Sequence, residues 1–307
     1  MADGRSRERN ALHRVVPEAL IRKGPPPLPP IILVVSSETQ EQQNDRRSYA
    51  GLASHESYAT ALRRLRPGIE LDTASCLGTG DITDLSRLDG IVFAGSPIQM
   101  HEDNVEARAA AHFMTQVFEA GVPAFGSCAG LQIAAVAAGG ETGPRRQGAE
   151  VAFARDITRT EAGAGHPMLD GRPATWTAPA MHSSVVTRLP PGGRSLAANP
   201  DTPIEAAEIR HGNGTFWGVQ YHPELSLGEI AASTAHQAKD VIDQGLARDQ
   251  GEVDAMAARL RDLDAVPTRV DIAWQLGLNA EIALFEHRTR EIENFMKAVE
   301  AGVLGPL

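Results

Sequence analysis

The 307-residue chain has only two cysteines, Cys76 and Cys128, too few for a disulfide framework, which fits a reducing compartment and leaves a thiol free to react. It has no long apolar run. A run such as Ile31 to Val35, five residues long, falls far short of the roughly 18 needed to span a bilayer, so a membrane protein is not expected. The start, MADGRSRERN, is polar and no apolar signal core follows it, which predicts a protein that stays in the cytoplasm. There is no excess of positive charge either: the formal net charge is −10, which argues against a general nucleic-acid binder and for a small-molecule substrate. Cys-x-x-Cys pairs are missing, and His101, His166 and His287 are scattered without ligand spacing, so no metal site is expected. Gly78-Thr79-Gly80-Asp81 lacks the rest of a phosphate-binding loop and is read as a turn. No internal repeat of fixed period is found.

Residues 1–30 carry no sustained apolar periodicity and end in Gly24-Pro-Pro-Pro-Leu-Pro-Pro30, which predicts a flexible, extended proline-rich arm rather than an SH3 ligand. From residue 31 the texture changes. Strand-like runs at Ile31–Ser36, Ile69–Thr73, Gly90–Ala94 and Val122–Gly126 alternate with helical patterns at Glu56–Leu65 and Val105–Ala120. Such alternation predicts an α/β fold, a mostly parallel sheet flanked by helices, with ligands outside the carboxyl ends of the strands. Residues 148–222 are richer in strands and turns and should add antiparallel pairing. Beyond 226 the chain reads as helical, with Val253, Met256, Leu260 and Leu263 spaced three or four apart, and with Trp274, Phe285 and Phe295 as apolar anchors that need burial.

Two stretches carry chemistry. Val122 to Ser127 reads as a buried strand and Ala129 to Ala138 as the following helix, with Cys128 at the junction. A strand-to-helix elbow projects its central residue into the cleft, Gly126 and Gly130 allow close backbone approach, and the helix N-terminus favours a thiolate. Cys76 has none of these features and is read as structural. The second stretch, Trp217-Gly-Val-Gln-Tyr-His222-Pro-Glu224, places an imidazole and a carboxylate two residues apart at a strand end, on the same side of an extended chain. The carboxylate can hold the ring that activates the thiol. His182, near this pocket, is read as a packing or hydrogen-bonding histidine.

The combination resembles the class I (triad) glutamine amidotransferases, among them the glutaminase parts of GMP synthase and anthranilate synthase. Gly126-Ser-Cys128-Ala-Gly130-Leu-Gln132 matches G-x-C-x-G-x-Q, and Trp217 to Glu224 matches W-G-V-Q-x-H-P-E. Asp89 to Pro97 is similar to the family loop D-G-I-V-x-x-G-G-P, Met181 to Val186 to Y-H-S-x-V-V, and Thr202 to Ala207 to the stretch before the base. The resemblance implies a flavodoxin-like glutamine amidotransferase domain over 31–226, with 227–307 a helical C-terminal extension. It implies a Cys128–His222–Glu224 triad that hydrolyses the glutamine side-chain amide through a glutamyl thioester, without cofactor or metal. The backbone of Ser96 and Ala129 would form the oxyanion hole, and Gly95, Gln132, Ser183 and Ser184 would hold the substrate. Ser96 replaces the usual second glycine, and a positive φ there would cost about 1 kcal/mol or more. No acceptor-domain signature follows the triad, so the ammonia would serve a separate synthase subunit; self-association is left open. The alternatives are a γ-glutamyl hydrolase or transferase acting on another γ-glutamyl amide, and a non-catalytic regulatory subunit on the same fold.

Overall fold

The computed structural model of the protein describes residues 29–78 and 84–305. Apart from Pro29 and Pro30, the predicted proline-rich arm lies outside the described residues, as does all but Gly78 of the turn at 78–81. Eleven strands are present among the described residues: β1 (Ile31–Ser36), β2 (Glu70–Ser75), β3 (Gly90–Phe93), β4 (Ala124–Ser127), β5 (Glu141–Pro144), β6 (Glu150–Arg159), β7 (Thr175–His182), β8 (Ser184–Arg188), β9 (Gly193–Ala198), β10 (Ala206–His211) and β11 (Gly214–Val219). The helices that precede the His222–Glu224 stretch are α1 (Gln40–Ala50), α2 (Ser54–Leu65), α3 (Val105–Ala120) and α4 (Ala129–Ala137). After it come α5 (Leu227–His236), α6 (Ala238–Asp243), α7 (Gln250–Ala265), α8 (Val270–Gln275), α9 (Ala280–Ala283), α10 (Phe285–Arg288) and α11 (Arg290–Glu300).

Nine strands form one mixed sheet in the order β2-β1-β3-β4-β11-β10-β9-β6-β7, and β5 pairs with β8 separately. The first five are parallel, and from β10 onward the pairing is antiparallel. Parallel strands must be covered on both faces, which is why β1, β3, β4 and β11 read as near-continuous apolar runs. On one face α3 and α4 pack Phe113, Met114, Val117 and Leu131 against Leu33, Ile91 and Phe93. The boundaries of α3 follow from its caps: the Asn104 side chain accepts the Ala107 N–H at 2.8 Å, and Gly121 (φ 70°) ends the helix in the left-handed conformation.

The other face is covered by α2 and by α11 from the far end of the chain. Ile292, Phe295 and Met296 join Ile32, Val34, Tyr58, Phe125 and Trp217 in one cluster, with the Phe125 and Phe295 rings 5.6 Å apart. A buried Arg172 ties this helix down, donating to Glu291 at 2.7 Å, to Glu281 at 2.8 Å and to the Arg288 carbonyl at 3.0 Å. Helices α5, α7, α8 and α9 pack on one another and on Ala152 and Phe153 of β6. Trp274 departs from expectation: it is 80% exposed, because α8 buries Ile272 and Ala273 on its opposite side. Phe285 is half-buried beneath the Arg64 guanidinium, 3.8 Å from its ring centroid. No described helix is long and apolar enough to cross a membrane.

Candidate active site

The carboxyl ends of β1, β3, β4 and β11, four adjacent parallel strands, converge on one cleft. Cys128 stands between β4 and α4 with φ 50° and ψ −107°, a conformation that costs a non-glycine residue on the order of 1–3 kcal/mol and is kept only where the surroundings enforce it. Its N–H donates to the Val219 carbonyl at 2.8 Å, pinning the elbow to β11. The flanking glycines have no room for side chains. A Cβ on Gly130 would stand 2.9 Å from the Phe93 Cβ, and one on Gly126 would stand 3.1 Å from the Gly130 Cα.

His222 lies three residues beyond β11, buried, with its N–H donated to the Pro179 carbonyl at 2.7 Å. Its Nδ1 is 2.7 Å from Glu224 Oε1, which also accepts from Ser127 Oγ at 3.2 Å. The carboxylate thus fixes the ring and leaves Nε2 for the thiol. Burial disfavours charge on the ring, but the Glu224 carboxylate and hydrogen bonding to Cys128 and Glu224 outweigh it, raising the pKa from 6.5 to about 10. At neutral pH His222 is therefore an imidazolium. The buried Tyr58 hydroxyl sits beside Glu224 and Ser127 without a hydrogen bond of good geometry; burial and then the Glu224 charge push its pKa well above 10.0. Gly95, after β3, faces the ring directly: a Cβ there would meet His222 Cε1 at 2.5 Å and Cys128 Cβ at 3.4 Å.

Ser96 takes no positive φ, so serine in place of glycine carries no left-handed strain. Its hydroxyl accepts from Ser37 Oγ at 2.8 Å and from the Ile98 N–H at 3.3 Å. Ala129 opens α4 directly after Cys128. Gln132 is buried, and its carboxamide is engaged within the protein: Nε2 donates to the Ser184 carbonyl at 2.9 Å and to Gln220 Oε1 at 3.3 Å, while Oε1 accepts from Ser184 Oγ at 3.1 Å. The exposed Ser183 offers its carbonyl to the Arg145 N–H at 2.8 Å. Two cavities meet at Cys128. One, of about 180 Å³, includes Gln132, His182, Ser183 and Ser184; the other, of about 430 Å³, includes His222, Glu224, Glu38 and Asp45. A third, of about 590 Å³ between β6 and α7, is larger but reaches neither Cys128 nor His222.

Sequence reasoning passed over several neighbours of these residues. Ser127 and Gln220 were discoverable, since each lies inside a matched motif; Tyr58 and the acidic residues of the larger cavity carry no local signal. His182 is buried between Glu150 Oε2 (Nε2, 2.9 Å) and the Ser184 carbonyl (Nδ1, 3.2 Å), and burial lowers its pKa. Glu150, His182 and Glu205 are the group among the described residues whose ligand atoms could surround a metal ion. Their bonding suits an acid pair better. Asn199 Nδ2 donates to both carboxylates at 3.1 and 2.8 Å, Arg145 adds a buried positive charge 3.4 Å from Glu150, and burial holds Glu205 well above the usual carboxylate range.

Residues 54–238, more than half of the chain, match the family model described as "Glutamine amidotransferase class-I". The chain belongs to that family. A curated relative, the γ-glutamyl-L-1-hydroxyisopropylamide hydrolase of a Pseudomonas species, is 35% identical over 204 residues, 65% of this chain and 69% of that one. The glutamine-hydrolysing GMP synthase of Leifsonia xyli subsp. xyli is 36% identical over 146 residues, 47% of this amidotransferase but only 27% of the synthase. Family and relatives together indicate amide hydrolase activity. The crystal structure of a glutamine amidotransferase from Thermotoga maritima shares the fold, with a TM-score of 0.60 at 12% identity over 87% of this chain and 98% of that one. One from Methylobacillus flagellatus does so with a TM-score of 0.55 at 16% identity over 89% and 95%.

Proposed function

We propose that this amidotransferase hydrolyses a γ-glutamyl amide, glutamine being the simplest, through a Cys128–His222–Glu224 triad. The observation that carries the reading is the convergence of a strained, buried cysteine elbow with an imidazole fixed by a carboxylate at 2.7 Å. The Cys128 thiolate attacks the carboxamide carbon, and the developing oxyanion meets the N–H groups of Ala129 and Ser96. His222 gives its proton to the departing nitrogen, and Glu224 steadies the ring. Water then cleaves the glutamyl thioester. Gly95 leaves room for the imidazole, while Gln132 and the Ser183–Ser184 backbone form the wall that receives the glutamyl half; the Gln132 carboxamide acts by holding Ser184. No cofactor takes part.

Two relatives divide the finer choice. The likeness to a γ-glutamyl amide hydrolase spans most of that protein, whereas the likeness to GMP synthase spans about a quarter of it, so release of an amine to solvent is favoured over delivery of ammonia to a synthase subunit. Assays of amine release from γ-glutamyl amides and of ammonia release from glutamine test the reading. Turnover that disappears in Cys128→Ser supports it, and turnover that survives in a folded Cys128→Ser protein overturns it. An ammonia-delivering subunit would instead show glutamine turnover that rises when a partner synthase is added.

A further inference from the structure

We infer that the half of the site that receives the departing amine is built for an extended, positively charged base, so that the preferred substrate is the γ-glutamyl amide of a diamine. This rests on the roles of Cys128 and His222 proposed above. Sidedness comes first. The two cavities that meet at Cys128 share Ser96, Pro97, Met181, Gln237 and Asp240, but His222 and Glu224 line only the larger. A nitrogen expelled from the tetrahedral adduct takes its proton from His222, so the leaving group must lie on the His222 side. The glutamyl half then falls to the smaller cavity, against Ser183 and Ser184.

Size makes the larger cavity a poor match for ammonia. Its volume is about 430 Å³, whereas a molecule the size of water takes about 30 Å³. Charge gives the selection its direction. Glu38 and Asp45 line this chamber alone, whereas Asp240 lines both cavities, and Glu38 is buried, where its field is least screened. Among the described residues lining it, Arg46 is the one arginine or lysine, and its guanidinium is engaged by Glu229 and Ser57, each at 3.2 Å, and by the Leu52 carbonyl. His236 stacks on Tyr49 with ring centroids 4.0 Å apart, its Nε2 3.7 Å from Asp45. The chamber is thus a negatively biased pocket with an aromatic wall, suited to a distal ammonium.

The chemistry is unchanged by the added charge. The Sγ–C bond forms, the C–N bond breaks, and the amine leaves with the proton from His222. Water then splits the thioester into glutamate and the free thiolate, one of its two protons returning to the ring and the other going to the released amine, which ends as an ammonium. The distal ammonium takes no part in bond making and serves only to bind.

The test compares kcat/KM for glutamine, γ-glutamylbutylamide, γ-glutamylputrescine and γ-glutamyl-γ-aminobutyrate, which present no alkyl chain, a neutral one, a cationic one and an anionic one. The putrescine amide should exceed the butylamide by roughly tenfold or more, with the anionic amide and glutamine below both. Added salt should narrow the ratio, and so should Asp45→Asn, whose carboxylate lines only the larger cavity. Glutamine equal to or above the putrescine amide, or no order by charge, overturns the proposal while leaving the triad reading intact. If the folded protein hydrolyses none of the four, the nucleophile assignment itself fails.

Discussion

Replacing Gly95 with alanine should cripple turnover while largely sparing the fold. The new Cβ would stand 2.5 Å from His222 Cε1, 3.3 Å from Nδ1 and 3.4 Å from the Cys128 Cβ. Because carbon atoms settle at ~3.5 Å or more, the ring must retreat by ~1 Å. It has little freedom to do so. The ring is buried, its Nδ1 is held by Glu224 at 2.7 Å, and Gly95 follows directly from the central part of the sheet. A displacement of this size between reacting groups costs ~10²-fold in rate, or about 2.7 kcal/mol of transition-state stabilisation. Overpacking by one methyl should cost about 1–3 kcal/mol of stability, so the variant should still fold. The assay is kcat at saturating γ-glutamyl amide, read beside a thermal melt. A folded Gly95→Ala protein with a wild-type kcat would show that the position of the imidazole does not govern the reaction.

Cys128→Ser should abolish hydrolysis with little change in melting temperature, whereas Cys76→Ala, whose thiol burial pushes up to about 12, should keep its turnover and lose about 1 kcal/mol of stability. His222→Asn should cost roughly 10²–10⁴-fold in kcat, more than Glu224→Gln, in which a neutral amide can still orient the ring. Because His222 titrates near 10, its imidazolium is intact below that value and is lost as pH rises through it, so turnover should fall on the alkaline side. Glu224→Gln removes the charge that raises this pKa and should move the fall to lower pH, as rate profiles of the two proteins will show. Arg172→Met would leave the fully buried Glu291 without its charge partner and should destabilise the protein by about 3–5 kcal/mol in denaturant unfolding.

What could be read from the sequence depended on whether the signal was local. Strand β1 and helix α3 have the predicted boundaries because one is a short apolar run rich in β-branched residues and the other has a spaced apolar face closed by Asn104 and Gly121. Strand β4 begins two residues later than expected, after Pro123, which cannot donate to a ladder. Helix α1 was not legible: in QEQQNDRRSYA only Arg46 is buried, so no apolar period exists, and the helix is set by the Thr39–Gln42 capping box and Gly51. The proposed triad was legible because its members lie in two short contiguous motifs. The larger cavity was not, since Asp45, Tyr49, His236 and Asp240 come from polar helix faces that only tertiary packing brings to Cys128. The expected burial of Trp274 was overruled by a helix too short to hide more than one side.

The most direct test of the central claim is mass spectrometry of the acid-quenched enzyme during turnover of a slowly hydrolysed γ-glutamyl amide. A thioester intermediate predicts one glutamyl group attached to the peptide that contains Cys128, absent from Cys128→Ser and accumulating in a variant impaired in deacylation. An adduct on Cys76, or continued turnover with no adduct at any cysteine under conditions where the thioester survives the quench, would contradict the account.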